Sequence, residues 1–398
     1  MSAQPARFTM LACCAVFFAL GVINASFGPA LPELAQHTAS DLAQIGGLFT
    51  AYFVGALLSQ VLAGPLVDRL GQRPVLVAGM AVTACGVLAT AFAPALPLLL
   101  ACAALTGFGF GATGVAVNVL VSATFATRRA AALNLVNVFF GLGSFVGPAL
   151  AGATLRFGDT ALPPLGLGAL LMGAVIVPLA GMRLGKPTAT AVASGPSIYR
   201  SPPLWAVGAL FVLSVGCESG MGAWTSTYAA RTVALDAATA AFVTSAYWLA
   251  LTLGRVIGAA IGTRLPAATL LRACLIGAAL GAGMLLATVG NLLLTLAAIA
   301  LIGLCFGPIF PTAFAQISTR YQRAAGAAAG VVIPMGSVGG AIIPLLQGNL
   351  LASYGPVAVM RVIAIGTLGM IALEAISRTL DTHAPRRSAV ADALEQTE

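Results

Sequence analysis

Apolar runs long enough to cross a bilayer dominate this chain. Between Phe8 and Leu31 there is no Asp, Glu, Lys or Arg, and comparable runs recur almost to the end. A helix needs about 20 apolar residues to span the hydrocarbon core. Reading apolar windows against charge and turn signals predicts twelve helices near 8–31, 44–67, 74–94, 97–123, 132–155, 163–183, 203–230, 239–262, 268–288, 291–316, 325–350 and 357–377. Charged residues make up only 8% of the sequence, too few to coat a water-facing globule. The expected fold is an all-α membrane protein, and its 46 Gly and 22 Pro suit helices that pack closely and bend.

The positive charges are unevenly placed. The two ends and the even-numbered connections hold Arg7, Arg69, Arg73, Arg128, Arg129, Arg183, Lys186, Arg200, Arg264, Arg272, Arg320, Arg323, Arg378, Arg386 and Arg387, which is 15 of the 19 Lys and Arg. Loops rich in Lys and Arg stay in the cytoplasm, so both termini are expected there. The net charge of +8 then serves topology, and nucleic acid is not an expected partner. All seven cysteines lie in apolar runs with no CxxC, so neither a disulfide framework, a metal site nor a cofactor is expected. A polar stretch rich in Pro, Ser and Thr divides six spans from six. The expected organisation is a first bundle over 1–184, a cytoplasmic linker over 185–202, a second bundle over 203–377 and a cytoplasmic tail over 378–398.

The halves resemble each other at an offset of about 195 residues. Tyr52 aligns with Tyr247, Gly107 and Gly111 with Gly303 and Gly307, Gly143 and Pro148 with Gly339 and Pro344, and Gln60 with Arg255. Two such repeats in parallel orientation imply bundles related by an axis along the membrane normal, with substrate near the midplane between them.

The stretch Gly64-Pro65-Leu66-Val67-Asp68-Arg69-Leu70-Gly71-Gln72-Arg73 resembles the G-x-x-x-D-R-x-G-x-R/K loop of the major facilitator superfamily. The resemblance covers nearly the whole chain and implies two pseudo-symmetric six-helix bundles working by alternating access. It makes Gly64, Asp68, Arg69, Gly71 and Arg73 a conformational latch, weakened in the second repeat where Thr263 replaces the aspartate. Gly216-Cys217-Glu218-Ser219-Gly220, Trp224, Tyr228, Leu253-Gly254-Arg255 and Gly307-Pro308-Ile309-Phe310-Pro311-Thr312 further resemble the fucose–proton symporters and related sugar porters. Those symporters carry carboxylates in the first and fourth spans, where this chain has Asn24, Thr113 and Asn118 instead.

An ionisable group deep in a membrane costs several kcal/mol (about 2.5–3.5 on insertion scales) and is a functional candidate by default. The sequence singles out two. Glu218 lies on the order of 22 Å into its span at 1.5 Å per residue, a position for a proton carrier, a substrate ligand or a hydrogen-bonded structural glutamate. Arg255 lies closer to the cytoplasmic end, as a gate brace, a ligand for an anionic substrate, or a side chain packed on Trp248. The amides Asn24, Asn118, Asn134, Asn137 and Gln316, with Trp224, Tyr228 and Tyr247, are candidates for lining a cavity suited to a neutral polyol. Amides also hold membrane helices together, and both roles stay open for each. No nucleophile elbow, HExxH or P-loop occurs, so the chain is not expected to be an enzyme or ATP-driven.

The expected function is proton-coupled uptake of a small polar, sugar-like solute through Glu218. Efflux of amphipathic compounds by proton antiport and simple uniport are the alternatives. The expected setting is a bacterial inner membrane, with protons, solute and lipid as partners and a monomer sufficient for function.

Overall fold

The computed structural model describes residues 3–181, 198–321 and 325–383, all built on helices. These are α1 (Ala3–His37), α2 (Leu42–Ile45), α3 (Gly47–Leu70), α4 (Gln72–Ala91), α5 (Leu96–Thr124), α6 (Arg129–Gly158), α7 (Pro163–Gly181), α8 (Pro202–Thr232), α9 (Ala237–Ile261), α10 (Ala267–Ala287), α11 (Leu292–Arg320), α12 (Ala325–Tyr354) and α13 (Pro356–His383). Among the described residues, twelve segments are long and apolar enough to cross a membrane, with α2 and α3 counting as one. Large apolar side chains such as Leu170, Leu280 and Ile365 point outward, as lipid contact requires.

Local chemistry sets the ends. Asp41 and Gln44 form a reciprocal capping box at α2, and Asp236 and Asn291 accept backbone hydrogen bonds at the starts of α9 and α11. Gly71 closes α3 at φ +90°, a backbone state that costs other residues, and its N–H returns to the Val67 carbonyl at 2.9 Å. That turn lies inside the Asp68–Arg73 loop. Much of the expected linker, 185–197 with Lys186, and the tail from 384 lie outside the described residues, as do Arg183 and Arg323.

The helices form two six-helix bundles. In the first, α1 packs on α6 and α7, and α5 on α3 and α4; in the second, α8 packs on α12 and α13, and α11 on α9 and α10. The repeat is visible in the closest approaches. A Cβ on Gly107 would collide with the Tyr52 carbonyl oxygen, and one on Gly303 would come 2.7 Å from the Tyr247 carbonyl oxygen. Gly143 meets the Phe18 carbonyl and Gly339 the Val212 carbonyl in the same way. Small residues that let backbones touch are the membrane substitute for hydrophobic burial. Here they occupy equivalent positions in both bundles.

Candidate functional site

The bundles meet along two seams, α6 against α9 and α3 against α12. Each seam is joined by one short hydroxyl-to-carbonyl bond. Thr50 on α3 donates to the Ala341 carbonyl on α12 at 2.6 Å, and Ser245 on α9 donates to the Phe145 carbonyl on α6 at 2.6 Å. Thr50 and Ser245 are repeat mates, so the two bonds are one lock used twice. At the centre Gly28 of α1 abuts the Gly222 carbonyl of α8. Gly152 lies close to Ala238 and the Phe242 ring, and Gly340 to the Phe53 ring. Beside this seam, hydrogen bonds from Thr239 hold the Asp236 carboxyl below the usual carboxylate range. All of these contacts lie in the half of the molecule away from the chain termini, and that half is closed.

Replacing both locks, as Thr50→Val with Ser245→Ala, is expected to loosen this end without unfolding the protein. Each bond contributes about 1 kcal/mol net, so the pair shifts the open-to-closed ratio roughly 30-fold. Faster labelling of an Ala238→Cys probe by a membrane-impermeant maleimide measures the shift.

Towards the termini the same stripes lose their partners. The face of α6 that carries Gly152, Phe145 and Gly141 continues into exposed Asn137 and Asn134, and that of α9 into exposed Val256 and Ala259. On the other seam, Gly64 and Gly330 have nothing within 4 Å of an added Cβ. The last hydrogen bond across it between described residues joins the Ser337 hydroxyl to Gln60 Oε1 at 3.1 Å. From Gln60 to Leu70 is about 15 Å at 1.5 Å per residue, which sets the depth of a cleft open at the terminal end.

At the head of this cleft lies an ion pair. Arg255 Nη2 on α9 donates to Glu218 Oε1 on α8 at 3.0 Å, with the two side chains 22% and 14% exposed. The fully buried Tyr247 donates its hydroxyl to the Glu218 backbone carbonyl at 3.2 Å. Counting residues from the span ends places the two charges at different depths, yet they meet. The reason is side-chain direction: Cα–Cβ bonds lean towards a helix N-terminus, and α8 and α9 are antiparallel. Glu218 therefore leans towards the termini and Arg255 away from them, closing the gap.

The other sequence-derived candidates separate into three groups. Asn24 is half-buried on α1, and Gln316 has an amide nitrogen buried without a partner. Asn118, Asn134 and Asn137 are exposed towards the terminal end, with Asn137 donating to its own helix at the Leu133 carbonyl. Trp224 and Tyr228 lie inside the protein with their polar atoms committed, to the Pro344 carbonyl at 2.9 Å and the Leu285 carbonyl at 3.1 Å. Trp224 also packs on Gly46 and Gly348 in the closed half. In the latch loop Asp68, Arg69 and Arg73 are exposed, and Asp68 makes no ion pair among the described residues.

Three features escaped the sequence. Glu374 on α13 is buried and lies 3.7 Å from Arg272 and 4.0 Å from Arg378, a further buried carboxylate within a span, tying α13 to α10. Glu33 accepts from the Thr160 hydroxyl and the Ala161 N–H, pinning the α6–α7 turn. An aromatic chain, Phe17–Phe140–Phe110–Tyr52, runs through the first bundle with ring centroids 5.3–6.5 Å apart. Aromatics scattered over four helices carry no spacing signal that would reveal such a chain.

Comparison with known proteins agrees with this architecture. The Major Facilitator Superfamily model matches residues 11–344 and 228–395. The sodium-dependent glucose transporter 1 of Rattus norvegicus is 30% identical over 154 residues, which is 39% of this chain and 31% of that protein. The match therefore spans about a third of the rat relative's length. The sodium-dependent glucose transporter 1A of Mus musculus is 23% identical over 394 residues, covering 89% of this chain and 92% of that protein. Among solved structures, a variant of the nucleoside transporter NupG superposes with a TM-score of 0.77 at 13% identity, covering 94% and 99% of the two chains. The E. coli fucose:proton symporter FucP gives 0.66 at 16% identity, covering 94% and 99%. With twelve membrane-crossing helices in two repeated bundles around a central cleft, this chain belongs to the Major Facilitator Superfamily.

Proposed function

We propose that this protein is a secondary transporter that takes up a small neutral polyhydroxylated solute by alternating access, with proton movement coupled through Glu218. The observation that carries the reading is the Glu218–Arg255 pair at the head of the cleft. A carboxylate in that place has two available states, paired with the guanidinium or protonated and released from it. Switching between them changes the charge the cleft presents and the hold between α8 and α9. While Glu218 is ionised, its contact with Arg255 balances that charge at the head of the cleft, which favours a neutral solute over an anionic one.

The bundles over 1–184 and 203–377, joined by the 185–202 linker, rock against each other, and the Gly28–Gly222 contact belongs to the state whose outer end is closed. With the charge bias placing the termini and the 378–398 tail in the cytoplasm, the cleft of this structure faces inward and the hydroxyl locks close the outer end. The loop of Gly64, Asp68, Arg69, Gly71 and Arg73 then stands unlatched, as it should while the cytoplasmic ends are apart. A bacterial inner membrane is the setting the composition favours, and one chain contains both bundles, so a monomer suffices.

Sodium is the second reading for the coupling ion, favoured by the names of the glucose-transporter relatives. Uptake into proteoliposomes of radiolabelled glucose, fucose, uridine and 4-hydroxybenzoate, under an imposed proton or sodium gradient, tests both. The expected result is accumulation of a sugar or the nucleoside under the proton gradient. Accumulation under sodium alone transfers the coupling to that ion. Uptake of 4-hydroxybenzoate alone, or of nothing, contradicts the neutral-solute reading and turns the search to efflux substrates.

A further inference from the structure

Each bundle carries an aromatic dipeptide at the same repeat position, Tyr52-Phe53 on α3 and Tyr247-Trp248 on α9, 195 residues apart. Both pack edge-to-face with ring centroids 5.3 Å apart. Their polar atoms differ in fate. The Tyr247 hydroxyl is committed to Glu218, whereas the Tyr52 hydroxyl and the Trp248 indole N–H have no hydrogen-bond partner among the described residues. Both side chains are almost wholly buried, at 1% and 3% exposure. Of the three tryptophans, Trp205 and Trp224 donate to backbone carbonyls at 2.8 and 2.9 Å, so Trp248 alone keeps an unused donor. A buried donor without a partner costs about 1–3 kcal/mol, so its retention points to a partner that arrives from outside.

The two side chains pack beside one crossing of the bundles. Trp248 Nε1 lies 3.4 Å from the point where Gly222 would carry a Cβ, and Gly222 is where Gly28 of the other bundle abuts α8. The Tyr52 ring packs edge-on against Phe27, the neighbour of Gly28, at 5.7 Å. One turn nearer the cleft, four residues from Gly28 and Gly222, are Asn24 and Glu218. These two are themselves equivalent, because the α1–α8 repeat runs at an offset of 194, as the Phe18 and Val212 carbonyls under Gly143 and Gly339 show. The head of the cleft thus has a charged wall of Glu218, Tyr247 and Arg255. Facing it is a neutral wall at the matching positions Asn24, Tyr52 and Gln60.

Resting on the sugar-like reading above, we propose that Tyr52 and Trp248 are specificity-determining donors, one from each bundle. They hydrogen-bond acceptor oxygens of a neutral polyhydroxylated ring held between Asn24 and Glu218. Because the ring bridges the bundles, its hydroxyl pattern is read jointly by both of them. An indole N–H donates only, so the position over Gly222 takes an acceptor and rejects an ammonium or a second donor.

Full-length protein carrying 15N-tryptophan in lipid nanodiscs gives three indole N–H resonances, and Trp248→Phe identifies one of them. Glucose or fucose is expected to move the Trp248 resonance and leave Trp205 and Trp224 in place. Tyr52→Phe should weaken the apparent affinity from that titration about tenfold. It should not lower the unfolding temperature, since the hydroxyl it removes bonds nothing. A stationary Trp248 resonance while sugar uptake proceeds overturns the donor assignment and leaves the transport reading standing. A response to 4-hydroxybenzoate alone, or absence of both sugar uptake and any shift, overturns both. An unchanged affinity in Tyr52→Phe removes Tyr52 from the proposal.

Discussion

Gly28→Val is expected to reverse the resting conformation. Any Cβ at this position falls inside contact distance of the Gly222 carbonyl and 3.1 Å from that of Ala223, and both neighbours are helix backbone that cannot rotate away. α1 and α8 must separate to admit a β-branched side chain. Overpacking of this kind costs about 1–3 kcal/mol, and the strain falls on the state whose outer end is closed. Opening that end relieves it, so the equilibrium moves roughly 5- to 150-fold towards the opposite conformation. Transport should fall by a similar factor, because the outer end can no longer reclose over its cargo. Paired probes measure the reversal: Ala238→Cys at the closed end should label faster in the Gly28→Val background, and Ile333→Cys, at an exposed position on α12 between Gly330 and Ser337, should label more slowly. Gly283 on α10, exposed and with nothing within 4 Å, is the control, since Gly283→Ala meets no neighbour.

Arg255→Ala is expected to be the most destabilising single change at the ion pair. It leaves Glu218 mostly buried beside Tyr247 with no counter-charge. Breaking one side of a buried pair costs about 3 kcal/mol, the lower end of the usual range suiting side chains that keep some exposure. Removing both charges is different. Glu218→Gln with Arg255→Gln leaves two neutral amides able to bond each other, and should regain most of the lost stability while remaining inactive in accumulation. Wild type, Glu218→Gln, Arg255→Gln and the double variant form a double-mutant cycle, read as unfolding temperatures in detergent. Additive losses would mean that the two side chains do not act as a pair.

Much of this architecture is legible before any coordinates. Twelve apolar runs, the arginine bias and the offset near 195 prescribe two six-helix repeats, because backbone polar groups in a membrane must be satisfied within helices. The site was only partly legible. Glu218 and Arg255 stand out as charges in apolar runs, but their contact depends on antiparallel helices leaning their side chains towards each other, which linear counting does not capture. The equivalence of Asn24 and Glu218 is hidden by a one-residue drift in the repeat, 194 in α1 and α8 against 195 in α3 and α9. Tyr228 lies close to the Glu218 face of α8 and Trp224 nearer its flank, but a wheel does not say which neighbour covers each sector. The sectors holding Trp224 and Tyr228 turn to α12 and α10, where backbone carbonyls take their donors. Thr50 and Ser245 are ordinary hydroxyls in sequence, and acquire their role only where two bundles meet.

The coupling claim centres on Glu218, and proton movement in proteoliposomes tests it most directly. Glucose and fucose are added outside to vesicles containing the wild-type protein or Glu218→Gln, and external pH is followed in weak buffer. The account predicts that the sugar taken up raises the external pH with wild-type protein. With Glu218→Gln it predicts no pH change, while labelled sugar still exchanges across the membrane. Equal proton movement in both proteins, or wild-type sugar uptake with no proton movement at all, would contradict it.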